Sequence, residues 1–291
     1  MSGITAATPV GWVVTPFAES LTMQRALAVG TLAAVACGLV GTWVVLRSMA
    51  FLGDALAHGV VPGIAIASVL GFDLALGAAL SAAVMIGGIT VVSRRARLAE
   101  DTAIGLLFVG MLSLGVLIVS SSSSFAGDLT SFLFGGITSV DGGDIVLAAV
   151  VAVVTVVAVV LGYRAFLALT FNARTAQLLG MRPGLTHAAL MVLVTAAVVA
   201  SFTTVGSLLV FALITAPAAA SVQLVHRVPW VLVTSVVLAE VAVVAGLLLS
   251  WHAHLAAGAA MATCAVGLFV LALVVSEVRR AVGGRRAAAA R

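Results

Sequence analysis

Long apolar runs, each ended by arginines or a short polar connection, organise the whole chain. The first covers about 24–46 and is closed by Arg47. The second, about 51–70, contains Asp54, His58 and Pro62. The third, about 74–93, stops at Arg94, Arg95 and Arg97, and the fourth covers about 102–122. A polar loop then extends to about Gly143, and a fifth run, 144–162, is almost pure Val and Ala. A mixed segment, 163–186, holds Arg164, Arg174 and Arg182. The remaining runs are about 187–202, 205–224, 228–250 and 254–276, before a basic tail that ends at Arg291.

A spanning helix needs roughly 20 apolar residues to cross a hydrocarbon core of about 30 Å. In lipid every backbone group needs an internal partner, so runs of this length predict helices although Val and Ala are ambiguous in water. The expected fold is an all-α integral membrane protein, a polytopic bundle of about eight or nine transmembrane helices. Residues 1–22 form an N-terminal segment, 23–276 the transmembrane domain and 277–291 a basic cytoplasmic tail. Arginines mark the inner side: Arg94, Arg95 and Arg97; Arg164, Arg174 and Arg182; Arg227; and the tail. The loop with Asp128, Asp141 and Asp144, and the connection from Trp251 to His254, read as outer. A ninth span places the N-terminus outside. If the Pro62 run or the Pro217 run only half-inserts, the count is eight and the N-terminus is inside.

Composition agrees. Of 291 residues, 63% are hydrophobic and 8% charged, against roughly 25% charged in a soluble domain. A soluble domain, disorder and a nucleic-acid partner are therefore excluded. All 14 basic residues are arginine. Without lysine there is neither a Walker A phosphate loop nor a Schiff base, so the chain is not itself a P-loop ATPase. Cys37 and Cys264 lie far apart and form no C-x-x-C pair. No cleavable signal-peptide pattern precedes the first run. The all-arginine, Ala/Val/Gly-rich usage fits a bacterial chain of high GC content.

Asp54 and His58 carry the clearest chemistry. Four residues apart, they share one face of a helix, one turn apart. An ionisable residue inside an apolar run is costly and is a functional candidate by default. Carboxylate plus imidazole suits zinc, manganese or iron. Two ligands are too few for a site, but a two-fold dimer with this helix at its axis supplies two Asp and two His. The alternative is a helix-start aspartate and a hydrogen-bonded core histidine.

Two further segments invite roles. Residues 170–181 are predicted to form a short cytoplasmic helix, capped by Thr170 or Asn172 and ended by Gly180. It is too polar to span and suits docking of a soluble partner, or it is a plain connection. In the outer loop, Phe132 and Phe134 precede the helix-breaking Gly135 and Gly136. This reads as a re-entrant gate or as an ordinary loop at the headgroups. Gly206, Ser207, Ala212, Thr215 and Ala216 form a small-residue packing face. His252 and His254, two apart, do not face each other on a helix, and His187 and His226 are expected to be solvated. Glu240, inside an apolar run, pairs with a polar group or lines a cavity.

The stretch VLRSMAFLGDALAHGVVPGIA, from Val45 to Ala65, resembles the permeases of metal-ion ABC transporters of the zinc, manganese and iron type. So do EDTAIGLLF from Glu100, LFGGITSV from Leu133, ARTAQLLGM from Ala173 and VGSLLVFALITAPAAAS from Val205. The likeness covers nearly the whole chain, departing where Asn172 and Ala257 stand in place of common family residues. It implies a type II-like importer permease in the bacterial cytoplasmic membrane. The partners implied are a second permease subunit, forming a homodimer, a separate cytoplasmic ABC ATPase and an extracytoplasmic metal-binding lipoprotein. On this resemblance Asp54 and His58 line the metal path. Phe171, Asn172, Ala173, Arg174, Ala176, Leu179 and Gly180 form the helix that couples to the ATPase. The metal is cargo, with no permanently bound cofactor. Competing readings are a permease for iron-siderophore or cobalamin-type substrates and an ATP-independent secondary metal carrier.

Overall fold

The computed structural model describes residues 9–121, 140–171, 177 and 180–289. The predicted coupling residues Asn172, Ala173, Arg174, Ala176 and Leu179, and the predicted gate residues Phe132, Phe134, Gly135 and Gly136, lie outside the described residues. Phe171 and Gly180 are described on either side of the coupling segment.

The helices are α1 (Pro9–Glu19), α2 (Leu21–Leu46), α3 (Leu52–Gly59), α4 (Val61–Leu70), α5 (Leu74–Ala96) and α6 (Glu100–Ser121). They continue with α7 (Gly142–Phe171), α8 (Pro183–Val205), α9 (Ser207–Leu224), α10 (Val228–Ala253) and α11 (Ala257–Ala289). Among the described residues, 8 helical stretches are long and apolar enough to cross a membrane, the α3–α4 pair counting as one, and Leu208–Leu224 is a shorter apolar helix. The predicted all-helical membrane bundle is thus the fold. Helix α11 continues unbroken past residue 277, with Arg280 bonded to Glu277 at 3.0 Å.

Polar residues at the ends explain where helices begin. Ser20 Oγ accepts from Met23 N at 3.3 Å to start α2, and Asp73 Oδ1 accepts from Leu76 N at 2.9 Å to start α5. Each satisfies a donor that a helix N-terminus leaves free. Before α7, Asp144 Oδ2 accepts from Asp141 N at 3.1 Å while Asp141 Oδ1 accepts from Asp144 N at 3.0 Å. This reciprocal arrangement works as a capping box. Gly206 joins α8 to α9 at φ 85 and ψ 158, a backbone region that is essentially open only to glycine.

Helix α2 is the central post, packed on α7, α8, α9 and α10. Its small residues let neighbours approach closely. A Cβ on Gly41 would strike the backbone carbonyl of Ile214 on α9. Ser235 Oγ on α10 donates to Gly38 O of α2 at 3.0 Å. Tyr163 and Phe166 of α7 pack on Trp43 of α2, with ring centroids 5.9 and 5.6 Å apart. Ala212 and Ala216 of the predicted small-residue face are buried with Ala242 of α10 and Ala265 of α11. On the outside, α7 exposes Val146, Val150, Val153, Val157, Val160 and Leu161. Such a surface is apolar because lipid is its solvent.

Candidate functional site

Short helix α3 stands among α5, α6, α8 and α9. Its inner side is fixed by Leu52, Ala55, Leu56 and Ala57, each fully buried. With that side committed to packing, Phe51, Asp54, His58 and Val61 fall on the side that remains open. Their spacing of three, four and three residues is one stripe of a helical surface. Asp54 and His58 therefore face out of the subunit because the hydrophobic residues between them face in.

His58 Nε2 lies 3.5 Å from Asp54 Oδ1, and about a quarter of each side chain is exposed. The expected i, i+4 pairing is present, within an apolar stretch that runs from Leu52 to Leu70. One ring meets the imidazole and a second packs behind it. Phe108 of α6 meets His58 edge-on at 5.7 Å and Phe51 at 5.2 Å. The site is thus a carboxylate and an imidazole on a rigid helix, walled by aromatics and open on one side. Such a pair offers one oxygen and one nitrogen ligand to a borderline divalent cation. Among the described residues no group of three or more His, Cys, Asp or Glu is positioned to hold a metal ion. One subunit therefore offers an incomplete coordination shell.

Below this pair, toward the arginine-marked side, is a second polar cluster. Glu100, the first residue of α6, accepts from Arg47 Nη2 at 3.4 Å and pairs with His187 Nε2 at 3.0 Å. Thr90 and Ser93 complete a cleft of about 190 Å³ with these three. Arg47 Nη1 and His187 Nδ1 are buried without a hydrogen-bond partner. Burial pulls the Arg47 pKa below its ordinary value, and Glu100 opposes the shift; the guanidinium remains charged. His187 is thus paired and mostly buried, not solvated as expected from sequence. Its partner precedes it by more than eighty residues, so no local spacing signals the contact.

The other candidates separate from the metal question. Glu240 sits midway along α10 and accepts a hydrogen bond from Thr31. His252 Nδ1 is 2.8 Å from Leu248 O, and His254 ends α10 in a left-handed conformation at φ 54. The two histidines do not converge. Phe171 is exposed at the end of α7, and Gly180 adopts φ +75 just before α8.

A multi-helix membrane protein with an ionisable pair on an open helix stripe is the architecture of a membrane permease. The chain belongs to the ABC 3 transport family, whose model matches residues 19–276. It is a non-enzymatic, multi-pass permease of the bacterial cytoplasmic membrane. It is 32% identical over 252 residues to the manganese transport system membrane protein MntC of Listeria monocytogenes, covering 87% of this chain and 90% of that one. It is 29% identical to a probable iron transport system membrane protein of Haemophilus influenzae, covering 88% of this chain and 94% of that one. The solved structure of PsaBC from Streptococcus pneumoniae in complex with Fab superposes with a TM-score of 0.80 at 27% identity, covering 90% and 95% of the two chains.

Proposed function

We propose that this chain is the permease subunit of an importer for a divalent transition-metal ion, with manganese the leading cargo and iron or zinc within reach of the same donors. The observation that carries this reading is the Asp54–His58 pair, 3.5 Å apart and one-quarter exposed on an otherwise packed helix. Relatives named for manganese and iron transport support the choice of cargo. A second copy facing the open stripe brings two carboxylates and two imidazoles together. That is a set a manganese ion accepts, with water filling the remaining positions. Nothing about the site demands tight binding. A transit site must release its ion, and a partly exposed shell shared between two subunits suits that requirement.

The segment 172–179 between α7 and α8 is the region that docks a cytoplasmic ATPase, and the lysine-free chain leaves phosphate binding to that partner. An extracytoplasmic binding lipoprotein delivers the ion at the opposite face. ATP binding and hydrolysis rock two permease subunits about the metal pair, so that the site opens to one side at a time.

The decisive experiment uses cells lacking this gene and grown under limitation for manganese, iron or zinc in turn. Cellular metal content is measured with and without the restored chain. Wild type restores one metal, and Asp54→Ala with His58→Ala does not. Uptake that survives the double change overturns the metal-path reading and favours a wide-path carrier of chelated metal. Uptake into vesicles without ATP favours a secondary carrier instead.

A further inference from the structure

We infer that Glu100, clamped between Arg47 and His187, is a positioning residue for transport: it links the start of helix α8 to the metal pair through helix α6. The inference rests on the transport reading above and adds a mechanical route to it.

The geometry has three parts. First, the cluster ties three helix ends at one level. Arg47 is the C-terminal cap of α2, Glu100 opens α6, and His187 stands in the second turn of α8. Second, α8 begins at Pro183, so a displacement of its first turns carries His187 with it. Both carboxylate oxygens of Glu100 are engaged, Oε1 by His187 at 3.0 Å and Oε2 by Arg47 at 3.4 Å. A pull on α8 is therefore transmitted to the first turn of α6. Third, Phe108 lies eight residues further along α6, about 12 Å up the helix. Eight residues are a little over two turns, so Phe108 stands about 80° around the helix from Glu100. Phe108 meets both the His58 ring at 5.7 Å and the Phe51 ring at 5.2 Å. The route runs from His187 to Glu100, along a rigid helix to Phe108, and onto the imidazole.

The chemistry of the cluster is that of a clamp and not of a second metal stop. A guanidinium beside Glu100 repels a cation, and among the described residues no third His, Cys, Asp or Glu joins the carboxylate and imidazole. The two buried nitrogens without partners, Arg47 Nη1 and His187 Nδ1, leave the network incompletely satisfied as it stands.

The test uses the full assembly, permease plus its ATPase, in proteoliposomes with manganese. Three quantities are read: ATP hydrolysis, manganese taken up per ATP, and manganese bound by the purified permease. Glu100→Gln and His187→Ala are expected to keep hydrolysis and binding within about two-fold while uptake per ATP falls by about ten-fold. Glu100→Asp is expected to recover part of the loss. At saturating manganese, where the weaker affinity of a Phe108 variant is not limiting, combining Glu100→Gln with Phe108→Leu is expected to lower uptake per ATP by less than the product of the single effects, since both cut one route. Unchanged uptake per ATP in Glu100→Gln overturns the inference, and so does a multiplicative double variant. Loss of uptake in proportion to loss of assembled protein or of bound manganese also overturns it, since the cluster would then be a structural tie or part of the site. A wild-type assembly that takes up no manganese defeats the cargo reading instead.

Discussion

His58 is held in place by its neighbours as much as by its helix. Its ring meets Phe108 at 5.7 Å, and its nitrogen is 3.5 Å from Asp54. Residues that orient a ligand without touching the metal typically contribute 10- to 100-fold in affinity. On the proposed metal path, Phe108→Ala is therefore expected to raise the KM for manganese uptake by about 10-fold, with a smaller effect on maximal rate, as read in metal-uptake kinetics. Gly63 makes a different kind of demand. A Cβ there would enter the backbone carbonyl of Gly77 on α5, where no side chain can yield. Gly63→Ala is expected to cost about 1–3 kcal/mol through overpacking, seen as a lower Tm of the detergent-purified protein. The Asp54–His58 pair was legible in the sequence because both residues interrupt an apolar run one helical turn apart. The Arg47–Glu100–His187 cluster was not. Arg47 and Glu100 are 53 residues apart, and each looked like an ordinary charge at the end of a run. Only the packing of α2, α6 and α8 brings them together.

Element by element, the sequence located nearly every helix and misplaced several ends. The Val/Ala run in the sequence ends at Gly162, yet α7 continues to Phe171. Tyr163 and Phe166 belong to that continuation because Trp43 gives them a packing surface, and such a tertiary contact leaves no local mark. The run containing Asp54 was read as one helix. It is two, α3 and α4, joined at Val60. Pro62 explains the break: its ring removes a donor and is tolerated in the first turn of a helix. Where a cap was readable it was also effective. Asp73 starts α5 through its bond to Leu76 N at 2.9 Å. Asp73→Ala is expected to destabilise the protein by about 1 kcal/mol, and Asp73→Asn by less, measured as shifts in thermal unfolding.

For the whole molecule, orientation follows from charge and connectivity together. Alternation of the helices from α2 puts Arg97, after α5, and Arg227, before α10, on the side of Arg47. The opposite end carries Asp73, Asp141 and the α10–α11 connection, and there Arg25 of α2 donates to Val140 O at 3.2 Å. Counting the α3–α4 pair as one crossing and α9 as a short crossing, these ends alternate along the chain from α2 to α11. Helix α2 then begins outside, and α1 lies at the outer face. The short α9 is the weak step in this count, because Leu208–Leu224 falls below the roughly 20 residues that a 30 Å core requires. It crosses only if the junction at Gly206 sits below the membrane surface, and Gly206 is indeed buried. The arrangement is testable with a membrane-impermeant maleimide. Leu255 and His226 are both exposed and lie at opposite ends of α10. Leu98 is exposed in the connection between α5 and α6. In a background lacking Cys37 and Cys264, Leu255→Cys is expected to react in intact cells from which any outer barrier has been removed. His226→Cys and Leu98→Cys are expected to react only after the membrane is opened. If His226→Cys instead labels from outside while Leu98→Cys stays protected, α9 does not cross. The connection between α7 and α8 and the segment after α9 would then lie on opposite faces, and the eight-span arrangement would replace the nine-span one.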